Sequence, residues 1–156
     1  MNKVWIVIAN AESATIYSAS EKNLKFDLIK KLSHSESKLK NKDLVSDRPG
    51  HYTKGINNGI RGSYAEKTDH KLLEIENFAK EICETLEAGR VNNAYIGLVI
   101  VAEPHFYGLL NKFSKAHIKN KIKHHVPKDY TYYPEQKLKT ALESDLAHEL
   151  RLMLIS

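Results

Sequence analysis

Two short runs of the sequence are apolar almost throughout, and they constrain the fold more than any other feature. They lie at residues 4–9 and 94–102. A strand that is apolar on both of its faces needs other elements covering both faces, as happens in the centre of an α/β sheet. We therefore predict that these two runs form neighbouring parallel strands at the centre of one sheet.

The N-terminal part of the chain has the pattern of a small antiparallel sheet. Strand patterns occur at residues 4–9, 14–19 and 24–32. In the third, Leu24, Phe26 and Leu28 alternate with polar residues, as is typical of a strand with one buried face. The connections between the three runs are too short for a parallel crossover, so we predict an antiparallel meander.

The rest of the chain alternates between helix and strand. A long helix is predicted from Thr68, as the N-cap, to Gly89, as the residue that ends it. A short helix is predicted from Pro104 to about residue 113, followed by a weaker strand at residues 121–127.

A last helix begins with Pro134 at its first position. Leucines then recur at four-residue spacing, at Leu138, Leu142, Leu146, Leu150 and Leu154. The predicted order is βββαβαβα, in a single α/β domain that spans residues 1–156. We expect a mixed five-stranded sheet with helices on both faces, in which the first, fourth and fifth strands are parallel. This order is also that of the ribonuclease H-like fold.

A long polar segment, residues 33–67, is predicted to be a loop. It holds four of the seven glycines, and loops of this length are usually functional or disordered. Glycines let backbone N–H groups approach a phosphate, and arginines bind one with two hydrogen bonds. The candidate loop site consists of Asp47, Arg48, Lys54 and Arg61. The alternative is that the glycines only turn the loop and its charges keep it soluble.

Residues 104–128 are strongly basic, with six lysines, four histidines and no Asp or Glu. Such a cluster favours an anionic partner, because neutralised phosphates release their condensed counterions. The candidate contacts are Lys112, Lys115, Lys119, Lys121 and Lys123. Nearby aromatic residues could provide stacking faces for bases, namely Tyr107, Phe113, Tyr130, Tyr132 and Tyr133. The alternative is a solvated helix face with its aromatic residues in the core.

No catalytic residue, metal site or cofactor is predicted. His124 and His125 are neighbours on a strand, where side chains point to opposite faces, so they are poorly placed to share one metal ion. A magnesium-dependent nuclease would need carboxylates at the first strand, first helix and fourth strand. Glu103 and one of Glu74 or Glu76 fit that pattern, but the first-strand position holds the neutral Asn10.

The sequence also bears on compartment and redox state. No apolar run approaches the 18 residues of a membrane span, and no signal peptide is recognisable. We therefore expect a cytoplasmic location and no membrane insertion. Cys83 is the single cysteine, which excludes an internal disulfide, and it falls on the apolar side of a predicted helix. It is expected to be a buried structural thiol.

Four motifs resemble the bacterial host attachment protein family. They are Trp5-Ile6-Val7-Ile8-Ala9-Asn10, Asp43-Leu44-Val45-Ser46-Asp47-Arg48-Pro49-Gly50, Val101-Ala102-Glu103-Pro104-His105-Phe106-Tyr107-Gly108-Leu109-Leu110, and Lys128-Asp129-Tyr130-Thr131. The resemblance implies a fold related to the middle domain of archaeal and eukaryotic release factors and of Pelota-type rescue factors. In release factors, the loop before the long helix carries a Gly-Gly-Gln tripeptide. Residues 55–64 lack it, which argues against peptidyl-tRNA hydrolysis.

These observations favour a non-catalytic binding domain. Its expected partner is RNA, a ribosome-associated partner or another anionic surface, and the family name links it only indirectly to host attachment. Two alternatives stay open. One is a divergent hydrolase of a phosphodiester or aminoacyl ester, and the other is a protein-interaction module.

Overall fold

The computed structural model describes residues 2–20, 25–34 and 59–155, with the backbone alone described at residues 59–68 and 155. Its strands are β1 (Lys3–Ala9), β2 (Ser13–Ser20), β3 (Phe26–Ser33), β4 (Gly97–Val101) and β5 (Ile122–Val126). Its helices are α1 (Gly59–Val91), α2 (Pro104–Phe113), α3 (Ala116–Lys119) and α4 (Glu135–Ile155). The predicted order is confirmed, with the short helix α3 as an unpredicted addition.

The strands form one mixed sheet in the order β3-β2-β1-β4-β5. β1 pairs antiparallel with β2 and parallel with β4, and β4 pairs parallel with β5. The prediction that the two apolar runs are parallel neighbours inside the sheet is therefore confirmed.

Helices cover the sheet on both faces. On one face, Trp5 and Val7 of β1 pack with Phe78 of α1 and Phe106 of α2. On the other face, Ile6 and Ile8 of β1 and Val99 of β4 pack against α4. The five leucines of α4 that recur every four residues are all buried there, at Leu138, Leu142, Leu146, Leu150 and Leu154. Burial on both faces explains why β1 and β4 have no polar alternation. In the described part of the chain, no helix is both long and apolar enough to cross a membrane.

A β-bulge in β3 changes which face its side chains reach. Tyr17 pairs with Leu28, but the preceding Ile16 pairs with Lys30, so Ile29 is an extra residue in β3. An extra residue reverses the alternation beyond it. Phe26 is accordingly buried on the α4 face, whereas Leu32 is buried on the α1 face. Leu28 is 51% exposed, although it belongs to the apolar alternation of the sequence.

Helix α1 is longer at both ends than the sequence indicates. It begins at Gly59 rather than at the predicted N-cap Thr68, so residues 59–67 are helical and do not belong to a loop. It also continues through Gly89 to Val91. The left-handed residue that follows the helix is Asn93, with φ of 55°, a role that asparagine shares with glycine.

Gly89 has a packing role instead of ending the helix. A Cβ atom at this position would lie 2.5 Å from Trp5 Cη2 and 3.0 Å from Tyr95 Cε1. The absence of a side chain therefore lets α1 approach β1 closely.

The remaining boundaries differ little from prediction. β4 begins at Gly97, three residues later than the apolar run that predicts it. Pro134 lies just before α4, and its carbonyl accepts a hydrogen bond from the Leu138 amide at 2.8 Å. A proline fits there because the first helical amides have no partner within the helix.

Cys83 is buried between α1 and α2, as expected. Its Sγ atom donates to the Leu110 carbonyl at 3.4 Å and lies 3.4 Å from Ser114 Oγ. Burial raises the pKa of the thiol, which the Ser114 hydrogen bond partly offsets. A thiol that resists ionisation is a poor nucleophile.

The buried Tyr95 predicts a loss of stability at alkaline pH. Its hydroxyl donates to the Leu86 carbonyl at 2.6 Å. Burial, reinforced by Glu87 and opposed by Arg90, raises the pKa of Tyr95 from 10.0 to about 12. The stability linked to this proton is present below pH 10 and is lost as pH rises through about 12. The free energy of unfolding, measured with guanidinium at pH 8 and pH 11, should therefore fall less between these two pH values for Tyr95→Phe than for the wild type. An equal fall in both proteins would contradict the assignment.

Candidate nucleic-acid interface

The basic segment, residues 104–128, runs from one end of the parallel strands to the other and back. Helix α2 starts where β4 ends and runs back along the sheet, and β5 then starts beside the beginning of β4. The lysines between α2 and β5 are therefore grouped at the N-terminal end of the parallel strands.

The structure separates the five predicted lysines by environment. Lys112 on α2 is exposed, as are Lys115 and Lys119 at the two ends of α3. Lys115 and Lys119 are four residues apart and so lie on the same side of that helical turn. Lys121 is half-buried. Lys123 in β5 is exposed, and its Nζ atom donates to the Asn120 carbonyl at 3.2 Å.

These lysines have no carboxylate partner within the described residues. Glu87 of α1 is near enough for Lys115 and His117 to help lower its pKa, but the hydrogen bond from Arg90 has the larger effect. Arg90 holds this carboxylate with two hydrogen bonds, of 2.6 and 3.0 Å. The positive charge of the segment is therefore left largely unneutralised.

One further lysine joins this group from α1. Lys80 Nζ lies 4.9 Å from the centre of the Phe113 ring, and Lys112 Nζ lies 5.3 Å from it. Cations at this distance are attracted to an aromatic ring. Lys80 lies outside the basic segment, and only the packing of α1 against α2 brings it there. We call the five exposed lysines the basic surface: Lys80, Lys112, Lys115, Lys119 and Lys123.

A depression of about 520 Å³ adjoins the basic surface at Lys123. It lies on the α4 side of the sheet, and we call it the N-terminal depression. Its lining residues are Asn2, Ile96, Gly97, Lys123, Leu152 and Met153. The sequence did not predict this depression, because its residues come from four distant segments of the chain.

The predicted loop site is mostly outside the described residues. This applies to Asp47, Arg48 and Lys54. The backbone of Arg61 belongs to α1 instead of a loop, and its side chain is not described. A phosphate site at these four residues stays a prediction.

The opposite end of the sheet brings together motifs that are far apart in the sequence. Asn10 follows β1, and its Nδ2 atom donates to Asp129 Oδ2 at 3.3 Å and to Thr131 Oγ1 at 2.8 Å. Its Oδ1 atom accepts from the amides of Glu12 and Ser13, each at 2.8 Å. We call Asn10, Asp129 and Thr131 the Asn10 network. It ties the β1–β2 turn to the segment between β5 and α4.

Most of the predicted stacking residues are engaged within the protein. Tyr107 stacks on His125, with ring centres 3.7 Å apart, and Tyr130 stacks on Tyr133 at 4.9 Å. Tyr132 is 76% exposed. Tyr130, Tyr132 and Tyr133 follow β5, so they lie at the opposite end of the sheet from the basic surface. Only Phe113 directly contacts the lysines of that surface.

The carboxylates of the nuclease hypothesis do not assemble. Glu103 is exposed, and the carboxylate of Glu74 lies 3.4 Å from the ring of the buried His34. Across the described residues, no group of three or more His, Cys, Asp or Glu side chains could hold a metal ion. His124 pairs with Val99, and His125 with Ile100, so the two histidines lie on opposite faces.

Two solved structures resemble the whole chain only distantly. An archaeal translation termination factor is 10% identical, with a TM-score of 0.45, and a second chain described as an archaeal protein is 11% identical, with a TM-score of 0.46. Each comparison covers 99% of this chain but only 41% and 40% of the other, so the chain spans less than half their length. The comparison with curated proteins finds no match.

A family model provides the stronger comparison. The model described as "Protein required for attachment to host cells" matches residues 5–142. The match runs from β1 into α4 and includes both the basic surface and the Asn10 network. The chain therefore belongs to the family of proteins required for attachment to host cells.

Proposed function

We propose that this domain is a non-catalytic binding module that engages single-stranded RNA through the basic surface. The observation that carries the proposal is the exposure of Lys112, Lys115, Lys119 and Lys123 without carboxylate partners in the described part of the chain. Neutralising a phosphate next to each lysine would release counterions and drive binding. The proposal places the domain in the cytoplasm, with free or ribosome-associated RNA as its partner.

The Asn10 network supports a binding role over a nuclease role. The Asn10 side chain makes hydrogen bonds to Asp129, Thr131 and the amides of Glu12 and Ser13, and these bonds hold two turns together. A two-metal site would instead need a carboxylate at this position that is free to bind an ion. Glu103 is exposed and takes no part in the network.

The salt dependence of binding tests the basic surface. We expect the triple variant Lys112→Gln, Lys115→Gln, Lys119→Gln to bind oligouridine about a hundredfold more weakly at roughly 0.1 M salt. The slope of log K against log salt should flatten by about 2, because three lost contacts contribute about 0.7 each on a single strand. Fluorescence anisotropy titrations at several salt concentrations measure both quantities. Exposed lysines contribute little to stability, so the variant should stay folded.

The chain offers a control with the same change of charge. Lys25, Lys30 and Lys31 are exposed and lie in or beside β3, the edge strand farthest from β5. Replacing these three by Gln should leave the slope close to that of the wild type. Equal losses of affinity for oligouridine in both triple variants would mean that net charge alone drives binding. Absence of wild-type binding at low salt would favour the protein-interaction module.

A further inference from the structure

The basic surface ends at the N-terminal depression, whose lining combines apolar side chains with polar Asn2 and Lys123. We propose that the N-terminal depression binds one unstacked base of the RNA, while Lys123 holds the adjacent phosphate. This inference rests on the proposed function and identifies the part of the ligand that this end of the protein recognises.

The walls of the depression are suited to an apolar, planar group. Ile96 is 36% exposed and Leu152 is 59% exposed, so both have apolar surface available to a ligand. A phosphate alone would leave that surface in water, whereas the face of a base would cover it. The volume of about 520 Å³ lies within the range of roughly 300–1,000 Å³ that is usual for small-ligand sites.

Gly97 keeps the depression open. A Cβ atom at this position would lie 2.9 Å from Met153 Cε and 3.2 Å from Lys123 Cγ. Any larger residue would therefore push these two side chains outward or fill the space between them.

A second β-bulge sets the position of Lys123. Leu98 pairs with Ile122, but the next residue, Val99, pairs with His124, so Lys123 is the extra residue of β5. Bulges are frequent beside functional sites because they redirect a side chain. One of the three Nζ hydrogens of Lys123 bonds to the Asn120 carbonyl, which leaves two for a phosphate at the rim.

Charge complementarity favours an anionic ligand over a neutral one, and the exposed apolar surface of Ile96 and Leu152 favours an anion that carries a base. Among the described residues, no carboxylate lines the depression, and Lys119 and Lys121 come shortly before Lys123 in the chain. The surface thus combines aliphatic side chains, which can cover the face of a base, with lysines that can hold phosphates.

Abasic RNA separates base binding from phosphate binding. The probes are a fluorescein-labelled 12-nucleotide oligouridine and the same backbone without bases. We expect the wild type to bind the abasic strand roughly tenfold more weakly, because the apolar surface of the depression would stay in water, with an unchanged salt slope. This comparison requires no protein variant.

Leu152→Ser locates the base contact. The variant should bind oligouridine roughly tenfold more weakly and should discriminate little between the two strands. Its matched control is Leu72→Ser on α1, because Leu72 is 52% exposed and lies outside the depression. That control should bind both strands like the wild type. Circular dichroism would verify that both variants fold.

The outcomes distinguish this inference from the proposed function. If the wild type binds both strands equally and with a steep salt dependence, the base site is wrong and the basic surface remains. Wild-type discrimination that survives in Leu152→Ser also overturns the base site. If neither strand binds at low salt, RNA binding itself is wrong.

Discussion

Replacing Asn10 by aspartate is expected to lower the free energy of unfolding by about 3 kcal/mol at neutral pH. Asn10 is 8% exposed, and its Nδ2 atom lies 3.3 Å from a carboxylate oxygen of Asp129. Asn10→Asp would replace this donor by a second negative charge and leave Thr131 Oγ1 without its donor. Loss of a hydrogen bond and burial of an unpaired charge both destabilise the folded state.

The effect of Asn10→Asp should depend on pH in a definite direction. In the folded state, the new carboxyl prefers to be protonated, because Asp129 repels its charged form. The difference in stability from the wild type should therefore be largest near pH 7, should shrink as pH falls towards about 4, and should be nearly absent below it, where the carboxyl is protonated in both states. Urea unfolding at pH 7 and pH 4 measures it. Asn10→Ala provides the control. Alanine carries no titratable group, so the loss of unfolding free energy in this variant should not depend on pH in this way.

A stable Asn10→Asp variant at pH 7 would contradict the structural role of the Asn10 network. If that variant also cleaved RNA in the presence of magnesium, the nuclease hypothesis would return. The same variant thus tests both the structural role of Asn10 and the hypothesis that the domain is not a nuclease.

Gly89→Ala should lower stability and Gly108→Ala should raise it, with the two variants separated by about 1–3 kcal/mol. Both residues lie within helices, where alanine is normally favoured over glycine by about 1 kcal/mol. At Gly89, however, the new Cβ atom would lie 2.5 Å from Trp5 Cη2 and 2.7 Å from Trp5 Cζ3. Overpacking typically costs about 1–3 kcal/mol and should outweigh the helical gain.

Gly108 is the matched control for Gly89. A Cβ atom at Gly108 has no heavy-atom neighbour within 4 Å, so the helical gain should appear in full. Denaturant midpoints measure both variants. Trp5 is the only tryptophan in the chain, so its fluorescence should change in Gly89→Ala and stay constant in Gly108→Ala. A stabilised Gly89→Ala variant would show that α1 can move away from β1 without loss.

Local patterns were sufficient for most of the architecture. The apolar runs at residues 4–9 and 94–102 predicted central parallel strands, because burial on two faces removes polar alternation. The leucines of α4 predicted its buried side, because four-residue spacing keeps side chains on one face of a helix. The basic segment could likewise be recognised, since charge is a property of each residue.

Helix boundaries were less accessible to such patterns. Gly89 has the signature of a helix end, yet α1 continues past it because its packing against Trp5 favours a residue without a side chain. The cost of a side chain at position 89 depends on Trp5, which lies 84 residues away in the sequence. Local helix propensity contains no information about such a distant residue.

The register of the strands, and which distant residues lie close together, were decided only by tertiary structure. The extra residues Ile29 and Lys123 reverse the side-chain alternation of β3 and β5, and a bulge depends on pairing with a neighbouring strand. Lys80 joins Lys112 at Phe113 only because α1 packs on α2. Composition and periodicity are properties of the local sequence, and they determine which segments form helices and strands. Distances between elements arise only on folding, and they determine which residues meet at the basic surface, the N-terminal depression and the Asn10 network.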